Sequence, residues 1–125
     1  MKTATELSVP PELQEVLDEA VARIVEIAKP QAIILFGSHA EGRAGRAGRD
    51  SDFDLMVIVD AENTRGIESD LYRATDDLAE GPRQDVPPFD ILVMTPQEWE
   101  YEALLPGLVC FRIRRHGVVL HGEAA

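Results

Sequence analysis

This chain is nearly without cysteine, short of basic residues, and free of any long apolar run. Its single cysteine, Cys110, excludes an internal disulfide framework and fits a reducing compartment. Cys110 sits among Leu108, Val109 and Phe111, the setting of a small buried hydrophobe. No apolar stretch approaches a membrane span, and Met1-Lys2-Thr3-Ala4-Thr5-Glu6 lacks the apolar core of a signal peptide. A cytoplasmic protein is therefore expected. Only 12 basic residues stand against 23 acidic ones, a net charge of −11. Such a surface repels nucleic acid and excludes a broad duplex-binding footprint. The local exception is Arg43, Arg46 and Arg49, partly offset by Asp50 and Asp52, which suits a partner the size of a phosphate group.

What is present is enough for one domain with a true core: 125 residues, 45% of them hydrophobic. Pro10 to Lys29 reads as a helix, with Leu13, Val16, Leu17, Ala20, Val21, Ile24 and Ile27 recurring at spacings of three and four. Pro10 and Pro11 suit its start, and Pro30 ends it. Ala32 to Phe36 is a short continuous apolar run, Phe53 to Val59 is broken only by Asp54, and Phe89 to Met94 carries Asp90 near its start, as expected of buried strands. Asn63 to Glu80 reads as a second helix carrying Ile67, Leu71, Ala74 and Leu78 on one stripe, its acidic face a solubilising surface. Thr95-Pro96-Gln97-Glu98 is a helix start with the residues of a capping box, and that helix should run to about Leu105. A short helix over Leu108–Arg115 and an apolar segment from Val118 to Leu120 complete the chain. The order predicts a single α/β or α+β domain over residues 1–125, its core at 30–121 and its first helix at about 10–29.

The chemistry concentrates at strand ends. Leu35-Phe36-Gly37-Ser38 closes the first strand on a Gly-Ser turn, a glycine-rich loop follows, and Asp52-Phe53-Asp54-Leu55 opens the second. Residues two apart on a strand project from the same face, so Asp52 and Asp54 form a pair. Asp54 lies inside an apolar run, where an unpaired carboxylate is costly. Asp90, at the start of the third strand, is the remaining candidate for a third carboxylate. Paired carboxylates suit hard divalent cations, and backbone N–H groups of a Gly-Ser turn suit phosphate. The combination points to a nucleoside triphosphate handled with magnesium, two ions being the arrangement that serves both the attacking and the leaving oxygen.

Gly37-Ser38 with Ala40 and Gly42, then Ser51-Asp52-Phe53-Asp54-Leu55 with Val57 and Val59, resembles the signature of the minimal nucleotidyltransferases of the DNA polymerase β-like superfamily. The resemblance continues through Phe89-Asp90-Ile91-Leu92-Val93 and His116-Gly117-Val118-Val119-Leu120, covering most of residues 30–121. It implies the nucleotidyltransferase fold, a small mixed sheet flanked by helices. It implies that Gly37 and Ser38 contact the nucleotide phosphates, that Asp52, Asp54 and Asp90 hold magnesium, and that Asp90 also lowers the pKa of the attacking hydroxyl or accepts its proton. The reaction implied moves AMP from ATP to a hydroxyl and releases pyrophosphate. Many members of this size pair with a small helical HEPN protein as a type VII toxin–antitoxin system, the transferase being the antitoxin and its acceptor a tyrosine of the toxin.

Two departures from the family pattern stand out. His39 occupies the place where the family has an arginine, and it reads as a phosphate contact or a surface residue. The loop from Ser38 to Asp52 is lengthened by a repeat, Arg43-Ala44-Gly45 and Arg46-Ala47-Gly48; either Arg43, Arg46 or Arg49 replaces the missing positive charge or the loop is a solvated segment without a role. Two competing functions remain open on the sequence. One is a binding module that neutralises a partner by occlusion; the other is a small-molecule transferase of the aminoglycoside-modifying kind. Arg112, Arg114 and Arg115 read as charges capping a helix C-terminus, His116 and His121 as surface residues, and Trp99 and Tyr101 as core or interface.

Overall fold

A computed structural model describes residues 1–3, 9–41, 52–80 and 87–124. The chain runs β1 (Lys2–Thr3), α1 (Pro11–Ala28), β2 (Ala32–Phe36), β3 (Phe53–Ile58), α2 (Thr64–Glu80), β4 (Phe89–Met94), α3 (Pro96–Glu102), α4 (Val109–His116) and β5 (Val118–Gly122). The strands form one sheet in the order β1-β5-β2-β3-β4. β2 is antiparallel to both β3 and β5, while β3 and β4 are parallel, as are β1 and β5. The mixed sheet with flanking helices is the fold the sequence predicts. Parallel neighbours need a long crossover, and α2 supplies it between β3 and β4. Among the described residues no helix is long and apolar enough to cross a membrane.

Alternation along the strands divides the interior in two. Ile33 and Leu35 of β2, Leu55 and Val57 of β3, and Ile91 of β4 face one way, onto Leu13, Leu17, Ala20 and Ile24 of α1 and Leu71 of α2. Ala32, Ile34, Met56 and Ile58 face the other way, onto Trp99 of α3 and Cys110 and Ile113 of α4. Arg23 of α1 clamps the first layer from outside. Its guanidinium donates to the Ala74 carbonyl at 2.8 Å and reaches Asp77 at 2.6 Å and Glu19 at 3.1 Å.

Helix ends follow local chemistry. Lys29 leaves α1 with φ 46 and returns its N–H to the Val25 carbonyl at 3.0 Å. Asn63 caps α2, its side chain accepting from the Gly66 N–H at 3.0 Å. The Thr95 hydroxyl accepts from the Glu98 N–H and the Glu98 carboxylate from the Thr95 N–H, both at 3.2 Å, completing the expected capping box. α3 stops at Glu102, short of Leu105, because the chain tightens there: the Leu104 and Leu105 N–H groups bond three residues back, to Tyr101 and Glu102.

Candidate active site

The topology brings three strand ends together. Because β2 runs against β3, and β4 runs with β3, the end of β2 lies beside the starts of the other two. Phe36 is the register partner of Asp54, and Asp54 is the partner of Asp90. Register partners share a face, so both carboxylates project toward the α3–α4 side, beyond the point where those helices cover the sheet. Gly37 follows Phe36 with φ 79, and the Glu41 N–H then donates to the Gly37 carbonyl at 3.0 Å, closing a helical turn over Ser38–Glu41. The glycine is required twice. Its backbone lies in the left-handed region, and a Cβ at this position would fall on the Asp54 carboxylate.

Electrostatics single out Asp54. Burial, the nearby Asp90 and Asp52 charges, and a hydrogen bond with Asp90 push its carboxyl up to about 6. Asp90 is exposed, and its Oδ1 accepts a hydrogen bond of 2.9 Å from the Tyr72 hydroxyl. That hydroxyl in turn accepts from the Ile91 N–H at 2.8 Å. Tyr72 thus reaches from α2 around the edge strand and fixes the third carboxylate. Burial raises the phenol, and Asp90 adds to the rise against the opposing pull of the Ile91 N–H, so Tyr72 stays a proton donor.

The donor set is all oxygen and overloaded with like charge, which suits a hard divalent cation. Among the described residues, no three His, Cys, Asp or Glu side chains stand ready as a closed set of metal ligands. Asp54 and Asp90 stand as register partners at this end, and the Asp90 charge adds to the burial that raises the Asp54 carboxyl. On the other side of the turn, Glu41 forms a two-pronged pair with Arg112 of α4, at 3.0 Å from Nε and 2.5 Å from the terminal nitrogen. A cavity of about 210 Å³ lies there, bounded by Phe36, Gly37, Glu41, Val109, Arg112 and His116 among others.

Residues 17–106 match the family described as "Nucleotidyltransferase domain". The chain belongs to that family. One solved structure that this nucleotidyltransferase domain resembles is described as "Crystal structure of the toxin-antitoxin with AMP-PNP". The two share 20% sequence identity with a TM-score of 0.52, over 85% of this chain and 73% of that one, a likeness of fold. No curated protein matches significantly.

Of the nucleotidyltransferase residues singled out in the sequence, the fold gathers Gly37, Asp54 and Asp90 at one sheet end. Asp52 is exposed just ahead of β3 and Ser38 is half-buried in the turn. Arg43 and Arg49 lie outside the described residues. His39 is neither a surface residue nor a simple substitute for an exposed arginine. It is 7% exposed, its ring 4.4 Å from that of Phe53, which in turn stacks on Phe89 at 5.5 Å. The chain turns its imidazole into the core because the helical turn after Gly37 folds back over the start of β3. Arg112 also departs from expectation: it pairs with Glu41 rather than capping its helix, while Arg114 and Arg115 do occupy the last turn of α4. Tyr72 was missed altogether. Its helix is heavily acidic, and only the packing of α2 against the edge strand shows what the hydroxyl meets.

Proposed function

We propose that this chain is a magnesium-dependent adenylyltransferase acting on a protein hydroxyl. Its acceptor is a tyrosine of a helical, HEPN-type toxin, and the chain serves as the antitoxin of that pair. The observation that carries the reading is Asp54, wedged against Gly37 and paired in register with Asp90 at the meeting of three strand ends. Support comes also from the family match and from the likeness to a structure described as a toxin–antitoxin with AMP-PNP.

In this reading, the N–H groups of the turn after Gly37, with the Ser38 hydroxyl, hold the β- and γ-phosphates. Asp52, Asp54 and Asp90 hold magnesium, which when bound neutralises phosphate charge and acidifies the acceptor hydroxyl. The acceptor oxygen bonds to the α-phosphorus, the bond from that phosphorus to the bridging oxygen breaks, and pyrophosphate leaves with the electron pair. Asp90 takes the hydroxyl proton. Tyr72 keeps Asp90 aimed at the acceptor, and His39 supports the turn from beneath.

Intact-mass measurement tests this. The protein is incubated with ATP, magnesium and the helical partner. The expected result is one or more AMP units on the partner, lost with Asp52→Ala or Asp90→Ala. A stable complex with no mass gain from any nucleotide overturns catalysis and leaves a protein that neutralises by occlusion.

A further inference from the structure

Exposed large apolar side chains are unevenly spread among the described residues. Tyr101 is 68% exposed, Leu104 62%, Leu108 42% and Val109 51%, all between the end of α3 and the start of α4. Two depressions lie among them. One, of about 550 Å³, is lined by Leu108, Val109, Phe111, Arg112, Arg115 and His116 with Gly107; the other, of about 300 Å³, by Ala103, Leu104, Phe111, Arg114 and Arg115. Both depressions are lined by arginine and, among the described residues, by no carboxylate, in a chain whose net charge is −11. Arg23, Arg73 and Arg112 are each matched to a carboxylate. Arg114 and Arg115 enter no ion pair among the described residues, and Arg115 lies over the Phe111 ring at 5.6 Å. Glu98, Glu100 and Glu102 of α3 line neither depression.

We propose that the α3–α4 surface is a docking site for an apolar, carboxylate-flanked face of the acceptor protein. Apolar area at the centre with arginines beside it is the composition of an interface core, and the arginines select an acidic partner. The larger depression is continuous with the cavity against Gly37, since Val109, Arg112 and His116 line both. The acceptor role in this proposal rests on the adenylyltransferase reading; the docking chemistry does not.

The test uses two labelled amphipathic peptides with the same leucine stripe, one flanked by glutamates and one by lysines. Fluorescence anisotropy is expected to show the glutamate peptide binding at least tenfold more tightly, with the preference weakening in salt. Arg114→Glu with Arg115→Glu reverses the preference, and Leu104→Ser with Leu108→Ser weakens both peptides. Magnesium-dependent binding of a fluorescent ATP analogue, measured without a protein acceptor, stays unchanged in these variants. Equal binding of both peptides, or of neither, overturns the proposal. A wild-type dimer in sedimentation that the leucine variants dissociate also overturns it, in favour of a second copy as the occupant. If AMP transfer to the helical partner is absent from the wild type while the peptide preference holds, the enzymatic reading fails and the docking surface stands.

Discussion

The two faces of the sheet are covered very differently. On one, α1 and α2, of 18 and 17 residues, span the strands and seal them. On the other, α3 and α4 have 7 and 8 residues and leave the strand starts bare. The sealed face buries Leu17, Ile33, Leu55 and Leu71 completely. The partly covered face keeps a smaller core around Trp99 and gives its remaining length to Asp54, Asp90 and exposed apolar groups. Stability and chemistry are thus placed on opposite sides of one layer, each strand serving both through its alternation.

Substitutions should separate the two roles. The largest effect is expected at Asp54: Asp54→Asn should cut AMP transfer by roughly 10³-fold or more, as loss of a preorganised charge in a reaction centre does. Its melting temperature should hold or rise in the metal-free protein, because a buried like charge is gone. The pH dependence sharpens this. Asp54 binds its proton more tightly folded, at about 6, than at its ordinary 3.8, so protonation favours the fold. Its stabilising effect is full below the lower value and lost as pH rises through the upper one. Thermal melts should therefore show the variant gaining on the wild type between those values and keeping a constant lead above them. Magnesium at neutral pH should raise the wild type alone.

On the sealed face, Leu17→Ala should cost about 2–5 kcal/mol in chemical denaturation. Leu104→Ser, on the other side, should stay within about 0.5 kcal/mol. A comparable loss at both positions would erase the distinction between the faces. Gly37→Ala comes next, at about 1–2 kcal/mol for the left-handed backbone alone. Displacement of Asp54 should add a loss of transfer far out of proportion to that destabilisation. Smallest in stability is Tyr72→Phe, about 1 kcal/mol, since it orphans the Ile91 N–H. It should also weaken magnesium binding or activity by about 10–100-fold, as loss of a group that orients a metal ligand does. Calorimetric titration with Mn²⁺ reads the first of these and a steady-state assay the second.

Much of this arrangement is legible before any coordinates. Ala32–Phe36 is a continuous apolar run and Phe89–Met94 an apolar run broken only by Asp90, and both are strands with those bounds. The α3 start is written in four consecutive residues. Asp54 stands out because a carboxylate within an apolar run demands a reason. What stays hidden depends on pairing across long sequence distances. β1 is two exposed residues that become a strand only beside β5. The partner of Arg112 is Glu41, far off in the chain, so a local helix-end reading was the natural one. His39 reads as polar by type, and only the fold of the turn onto Phe53 makes it a core residue. Tyr72 meets Asp90 through the docking of α2 on β4, which no helical period encodes.

The second bond of Tyr72 bears on how the molecule keeps to itself. β4 is the outer strand of the sheet, and an outer strand offers unpaired N–H groups to any extended segment that drifts alongside. At Ile91 that offer is already taken up by the phenol oxygen. A neighbouring chain trying to lengthen the sheet meets a bulky ring and a missing donor beside the carboxylates. The contact that holds Asp90 therefore also closes one position of the open edge.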